Sequence, residues 1–280
     1  MGVVFRIGLL QQPYSMRYNG MEKKEQPPSI QVLGTKVHVV EIPEVLAQME
    51  RWIKDEHDTC HHVVNSGMHG VMAAHRDPKL RQIFKSVDLF ALDGILMVLV
   101  ARLRGFKVRK KYTGPDILWE FARSASENGY TNYFYGDEEP VLQRLEERLK
   151  SEFPNLKVVG HRSPPFRKLT PEEDADDVAA INQASPDVLW VGLGMPKQEE
   201  WIFEHRGQLK ATVAMGAGAA FKFVSGDASR GPSWLRNMGF EWVWRLMGQP
   251  KRIWSRVFID APQFVGLVAL ELTGLRKFDR

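Results

Sequence analysis

Cysteine is all but missing from this chain of 280 residues: Cys60 stands alone. A single thiol excludes an internal disulfide and any cysteine-rich metal centre, and a small buried side chain is its expected role. An uninterrupted apolar run of 18 residues is also missing, so no membrane-spanning helix is expected. The apolar stretch at residues 1–10 is short and broken by Arg6. It has neither the basic start nor the small-residue cleavage site of a secretory signal. Arg6 also stands where an N-myristoylation signal after Gly2 needs Ser or Thr. The net charge of +4 is too small to point to nucleic acid as a partner. The chain has no P-loop, no Gly-x-Ser-x-Gly elbow and no His-Glu-x-x-His pair. His61, His62 and His69 have no recognisable ligand spacing. Asp174-Ala175-Asp176 has the letters of a metal-holding Asp-x-Asp motif but falls in an acidic predicted helix, where a solvated face is expected. No metal site and no cofactor are therefore expected.

What is present is material for a large core: 44% of residues are hydrophobic and 26% charged. Residues 1–28 read as a flexible extension, because residues 14–28 are polar and rich in Gly and Pro with little apolar period. A short hairpin is expected around Gly34 and a helix over 43–54, with Val45, Met49, Trp52 and Ile53 on one face. Apolar strands then alternate with amphipathic helices. The predicted strands are residues 62–65, 87–92, 131–136, 156–160, 187–192 and 211–215. Thr170-Pro171-Glu172-Glu173 forms a capping box that opens one of the helices. This alternation predicts an α/β fold: a Rossmann-like parallel sheet with helices on both faces, spanning residues 29–226. Ligands of such sheets sit at the carboxyl ends of the strands.

Residues 227–280 differ and read as a helical, basic and aromatic appendage. No strand is predicted after Arg230. Trp234, Met238 and Trp242 recur at helical spacing, and Pro250 and Pro262 are expected to break the region into short helices. Between Arg230 and Arg256 six basic residues face one acid, Glu241, and residues 258–272 are apolar with few charges. Interleaved aromatic, basic and apolar residues suit an interfacial membrane surface. An ordinary helical cap with a solvated basic face fits the composition equally.

Three stretches can carry chemistry. Val188-Leu189-Trp190-Val191 runs into Gly192-Leu193-Gly194-Met195-Pro196-Lys197-Gln198-Glu199, a strand, a glycine turn and a polar helix start. Gly192 and Gly194 let backbone approach a ligand, the helix N-terminus favours an anion, and Lys197 adds positive charge. Asp93-Gly94 follows a second strand, a placement that suits a catalytic carboxylate or a helix N-cap. Asn65 and Ser66 end a third strand, where they can touch a substrate or cap the next helix. Met215-Gly216-Ala217-Gly218 is a further glycine turn. It does not complete a dinucleotide fingerprint: Phe221 replaces the third glycine, and no acidic residue ends a strand about 20 residues on.

Taken together, Leu92-Asp93-Gly94, Tyr112-Thr113-Gly114-Pro115-Asp116 and Gly192 to Glu199 resemble the WecG/TagA/CpsF family of bacterial glycosyltransferases (glycosyltransferase family 26). Met215 to Gly218, Arg230-Gly231-Pro232 and Glu241-Trp242-Val243-Trp244-Arg245-Leu246 match the same texture, so the resemblance covers roughly residues 30–260. It implies transfer of a sugar from a UDP-sugar donor to a polyprenyl-diphosphate-linked acceptor in envelope polysaccharide synthesis, with inversion and without a divalent metal. It also implies a cytoplasmic protein, peripheral on the inner face of the membrane, whose C-terminal appendage completes the site at the membrane surface. By the same resemblance Asp93 is the general base, Gln198 binds the donor, and Arg245 and Arg252 neutralise diphosphate. Lys111, where relatives often carry Arg, and Thr113, Gly192, Gly194, Lys197 and Gly216 complete the expected substrate-binding set. The chain departs from the family pattern at Asn65, in a Thr position, and at His69, in a Glu position. Ser255 replaces a third appendage arginine. A homo-oligomer stays open, as do two other readings: a non-catalytic membrane-associated scaffold and an NAD-dependent oxidoreductase.

Overall fold

The computed structural model describes residues 27–55, 58–108, 113–232, 235, 241–248 and 250–278. The chain begins with an antiparallel hairpin, β1 (Ser29–Val32) and β2 (Thr35–His38), joined by Leu33-Gly34. Both turn residues have positive φ, 49° and 81°, which matches the twist of a two-residue hairpin. Leu33 tolerates this conformation while burying its side chain in the core. Helix α1 (Ile42–Asp55) follows, with Val45, Met49, Trp52 and Ile53 buried along one stripe, as its spacing predicts.

Then come β3 (His61–Ser66), α2 (Met68–Arg76), α3 (Pro78–Ser86), β4 (Leu89–Leu92), α4 (Ile95–Leu103), α5 (Gly114–Asn128), β5 (Thr131–Gly136) and α6 (Glu139–Glu152). They are followed by β6 (Lys157–Arg162), α7 (Pro171–Ala184), β7 (Val188–Gly192), α8 (Lys197–His205), β8 (Val213–Gly216) and α9 (Ala220–Ser225). The eight strands form one sheet in the order β1-β2-β4-β3-β8-β7-β5-β6, parallel except for the first hairpin. The predicted parallel sheet is thus present, and each predicted strand falls on an observed one. β4 begins at Leu89, two residues later than predicted, and Asp88 just before it accepts from the His62 N–H at 2.8 Å.

The central strands are apolar throughout because both faces are covered. Trp190 and Val188 of β7, with Val213 and Met215 of β8, pack with α1, α5, α6 and α9. Their alternates Leu189, Val191 and Ala214 pack with α7 and α8. The two cores are therefore built by period-2 alternation within strands that look uniformly hydrophobic. Cys60 is buried in the second of them. Asp174 is not the solvated acid expected. It accepts from Trp201 Nε1 at 2.9 Å and lies 2.8 Å from His205 Nε2, tying α7 to α8.

The C-terminal segment is helical: α10 (Glu241–Gly248), α11 (Pro250–Ser255), a π-helical turn (Arg256–Asp260) and α12 (Ala261–Leu272). Trp234 and Met238, two of the three residues expected to share a face here, lie outside the described residues. Pro250 opens a helix, as predicted. Pro262 does not break one, because the π turn carries the chain through and leaves Pro262 in the first turn of α12. The continuity has a consequence for length. Residues Ile253–Leu272 make one helix of 20 residues with a mean hydropathy of 1.3, long and apolar enough by composition to cross a membrane, and 17% of its window is buried in the protein. The sequence conceals this because no uninterrupted apolar run exists. Arg256, Asp260 and Glu271 interrupt it.

Candidate active site at the carboxyl ends of β3, β4, β7 and β8

β3 and β8 are neighbours in the sheet, yet their exits diverge. β3 leads to α2 on the face shared with α8, and β8 leads to α9 on the face shared with α5. Divergent exits from adjacent parallel strands leave a crevice at the carboxyl edge, where open α/β sheets take their ligands. The residues singled out from sequence gather around it.

On the β4 side, the backbone N–H of Asp93 donates to the Ser66 carbonyl at 3.1 Å, in register with the Ser66–Leu92 pairing. The Asp93 backbone is pressed against Gly67, where an added Cβ would come within 2.8 Å of the Asp93 carbonyl oxygen. The N-cap position of α4 is held by Gly94, at φ 83°. Asp93 stands one residue before it. The half-buried carboxyl stands at the strand end.

Asn65 occupies the end of β3 and faces the α5 side. Its Nδ2 reaches the Ala91 carbonyl at only 3.5 Å, and its buried Oδ1 has no hydrogen-bond partner among the described residues. Directly opposite is the start of α5: a Cβ on Gly114 would lie 3.4 Å from Asn65 Oδ1 and 4.0 Å from the Ala217 carbonyl. The positive end of a 15-residue helix thus points between β3 and β8. Thr113 is the N-cap. Its backbone N–H and hydroxyl both donate to Asp116 Oδ2, at 2.9 and 2.7 Å. Arg230 completes the cluster, donating to Asp116 Oδ1 at 2.6 Å and to the Thr113 hydroxyl at 2.7 Å. Burial pushes the Asp116 carboxyl up. The Arg230 hydrogen bonds and charge, with those of Thr113, outweigh this and hold it below the ordinary range. The Thr113 hydroxyl is thus engaged within the protein, in a cap that orients α5 toward the crevice.

On the β7 side, the glycine turn is organised from below. Gly194 (φ 79°) donates its N–H to Gln198 Oε1 at 3.0 Å, and Gln198 Nε2 donates to Glu199 Oε1 at 2.8 Å. Gln198 and Glu199 are 4% and 1% exposed, although they open a helix. They fit because Gly216 has no side chain: a Cβ there would meet Gln198 Nε2 at 2.4 Å and Glu199 Oε1 at 2.9 Å. Gly192 plays the matching part on the other face, where its Cα is covered by the Phe221 ring. Burial lifts the Glu199 carboxyl to about 7, while the Gln198 amide and its own backbone N–H act against this. Glu199 is a component that the sequence reading passed over, since an acid in the first turn of a helix ordinarily faces water. The available signal lay in its conjunction with a glycine at the end of the neighbouring strand.

The structure brings together Asn65, Asp93, Thr113, Gly192, Gly194, Gln198 and Gly216. Lys197 is exposed at the start of α8, adjacent in the chain to Gln198. Lys111 lies outside the described residues, as do the side chains of Arg245 and Arg252. The helix that carries Arg245 does return to the site: the Trp244 ring packs on Gly231, next to Arg230, with a notional Gly231 Cβ only 2.6 Å from it. Among the described residues no group of three or more His, Cys, Asp or Glu side chains is placed to hold a metal ion.

Residues 30–278 match the sequence model of the Glycosyl transferase WecG/TagA/CpsF family. The chain belongs to this family. It is therefore a glycosyltransferase, and the resemblance carried by the Asp93, Thr113 and Gly192 segments is borne out. A relative from Bacillus spizizenii is 31% identical over 195 residues, covering 70% of this chain and 73% of its own. One from Bacillus subtilis (strain 168) is 29% identical over 207 residues, 74% and 78% of the two chains. One from Staphylococcus aureus (strain MW2) is 23% identical over 233 residues, 83% and 90%. All three are named N-acetylglucosaminyldiphosphoundecaprenol N-acetyl-beta-D-mannosaminyltransferase.

Proposed function

We propose that the protein transfers an N-acetylhexosamine or related hexose from a UDP-sugar to a polyprenyl-diphosphate-linked saccharide, with inversion and without a divalent metal. The observation that carries this reading is the convergence, at the β3/β8 crevice, of one carboxylate, one helix N-terminus and two glycine turns. In an inverting transfer the acceptor hydroxyl attacks the anomeric carbon while a base takes its proton. Asp93 has the chemistry and the strand-end position for that role. The bond from the sugar to the diphosphate breaks as the new bond forms, so negative charge grows on the leaving group. The start of α5, Lys197 and the arginines at 245 and 252 would meet it, Arg through its bidentate fork. Gly194, with open space where a side chain would stand, allows the donor to approach the backbone, while Gly192 and Gly216 serve the packing that holds this turn. Asn65, with its unpartnered Oδ1, suits a donor hydroxyl of either sugar.

The appendage, residues 227–280, supports a membrane-bound acceptor. Trp254, Phe258, Ile259, Val265 and Leu272 are exposed along one helix, and Trp242, Trp244 and Met247 are exposed on α10. The long helix is nonetheless held to the core. Phe264 and Val268 are buried, Asp260 and Gln263 bind Arg76 at 2.7 and 2.6 Å, and Glu271 binds Arg104 at 2.8 Å and the Leu33 N–H at 3.2 Å. A helix tied down in this way favours lying in the headgroup layer over crossing it. We place the protein at the inner face of the cytoplasmic membrane. The test is a panel of UDP-sugars with a polyprenyl-diphosphate-linked N-acetylglucosamine acceptor, read by product mass, with and without chelator. A product formed equally in EDTA is expected. Activity lost in EDTA and restored by magnesium would overturn the metal-free part, and no transfer from any UDP-sugar would overturn the donor.

A further inference from the structure

We propose that Glu199 is a positioning residue for the donor: its buried carboxyl fixes the side-chain amide of Gln198, and through it the Gly192–Gly194 turn against which the nucleotide lies. The inference rests on the donor reading above and adds a residue to it.

An amide can be turned either way, and its partners decide which. The Gly194 N–H is a donor, so it requires Gln198 Oε1, and it finds that atom at 3.0 Å. Glu199 Oε1 is an acceptor, so it requires Nε2, and it finds that atom at 2.8 Å. With Glu199 in place only one orientation satisfies both neighbours. Without the carboxyl, Nε2 loses its partner, the amide is free to turn, and the Gly194 N–H meets a donor instead of an acceptor. The arrangement also spans two turns: the Gln198–Glu199 pair packs under Gly216 at the end of β8 and holds Gly194 after β7. Glu199 keeps a second oxygen, Oε2, buried and without a hydrogen-bond partner among the described residues. An ordinary structural carboxylate in the first turn of a helix would be solvated. This one sits inside the wall of the site with part of its capacity unused.

The carboxyl is raised to about 7 by burial, so it ionises within the working range. The ionisable groups on the elements around it are few. α8 itself brings Glu200 and Glu204, which lie 3.8 and 3.2 Å from Lys79 of α3, His205, 2.8 Å from Asp174 of α7, and the exposed Lys197. β3 brings His62, kept neutral by burial with its pKa lowered to about 3. β7 and β8 contribute no ionisable side chain. A negative charge appearing on Glu199 therefore has no buried cation beside it, and it opposes a diphosphate bound above. Donor affinity is expected to fall as pH rises through about 7.

The experiment is UDP binding by calorimetry to the full-length wild type, E199Q and E199M at pH 6 and pH 8.5, with thermal melts of each. The wild type is expected to bind at least threefold more weakly at pH 8.5. E199M, which fills the volume without an acceptor, is expected to bind at least fivefold more weakly than the wild type at pH 6. E199Q, a neutral acceptor, restores the pH 6 affinity and has no pH dependence. In turnover, E199M raises the donor KM with kcat within about twofold. If E199M fails to fold, the pH profile of E199Q decides. Wild-type binding that neither variant alters, in strength or in pH dependence, overturns the inference alone. Absence of UDP binding by the wild type overturns the donor reading and the inference with it.

Discussion

The core and the C-terminal segment bury apolar surface in opposite ways. In β7 and β8 every residue from Val188 to Val191 and from Val213 to Met215 is buried, and each finds its cover within the sheet and its helices. Along the C-terminal helices a few side chains, Ile253, Phe264 and Val268, are buried, while Met247 is 75% and Trp254 57% exposed. A contiguous exposed apolar face on a folded protein marks a surface that something else covers. On the proposed function, the strand ends provide a rigid frame for reacting groups, and the helices would carry that frame to a surface.

The largest effect expected from breaking this division lies in the core. Asp93→Asn keeps the shape and the N–H bond to Ser66 but removes the proposed base, and a positioned general base contributes about 10²- to 10⁴-fold. Transfer is expected to fall by that factor while UDP binding stays within about threefold, measured by turnover and calorimetry on the same preparation. Near-normal turnover would move the base elsewhere along the crevice.

The next effect tests whether the appendage is docked or merely attached. Phe264 is 1% exposed and packs in the core with Val71, Met72 and Val98. Truncation of a buried Phe costs about 3–5 kcal/mol when the cavity cannot close. Phe264→Ala is expected to lower the urea midpoint accordingly. A cost under about 1 kcal/mol would mean that α12 is not part of the folding unit.

These two positions also show what was legible beforehand. Asp93 could be read because its strand, its Gly turn and its helix are contiguous in the chain. The same holds for the Thr170 capping box and each parallel strand, whose apolar runs do not depend on partners, whereas Thr113, expected in the substrate-binding set, proved to be the N-cap of α5. Glu199 could not be read in this way. Its burial depends on Gly216, which reaches it only through sheet topology. The continuity of the long helix was hidden for a related reason. Pro262 reads as a break, and the π turn that accommodates it has no local signature in Arg256–Asp260. Arg230 was legible as one basic residue of a cluster. Its actual partner, Asp116, is 114 residues away and was assigned to the core.

Arg230 is where the two regions meet beside the site, and its removal is expected to have an intermediate effect. Arg230→Ala leaves the half-buried Asp116 with the Thr113 bonds alone, a loss of about 1–3 kcal/mol by the cost of an unpaired buried polar group. The sign with pH follows from the direction of the Asp116 shift. A carboxyl held below its unfolded value stabilises fully at pH above that value, about 3.9, and the stabilisation is lost as pH falls through the folded value. The stability gap between wild type and variant, measured by denaturant titration, should be constant from pH 7 to 5 and shrink toward pH 3. A gap independent of pH would show that Arg230 acts through packing and not through Asp116.

The smallest effect on stability is expected on the outer face. Trp254 is 57% exposed and lies against Phe258, with ring centroids 4.2 Å apart, so Trp254→Ala should change stability by no more than about 0.5 kcal/mol. If the face lies in the headgroup layer, the same substitution removes a large apolar contact of about 1.5–3 kcal/mol, hence a tenfold or greater loss of affinity for anionic vesicles by co-sedimentation. A variant that melts like the wild type but leaves the vesicles would separate the function of this surface from the integrity of the fold. If vesicle binding is unchanged while sedimentation reveals a loss of self-association, the face is covered by a second copy of the chain instead. The acceptor would then have to reach Asp93 by a route that does not run along α11 and α12.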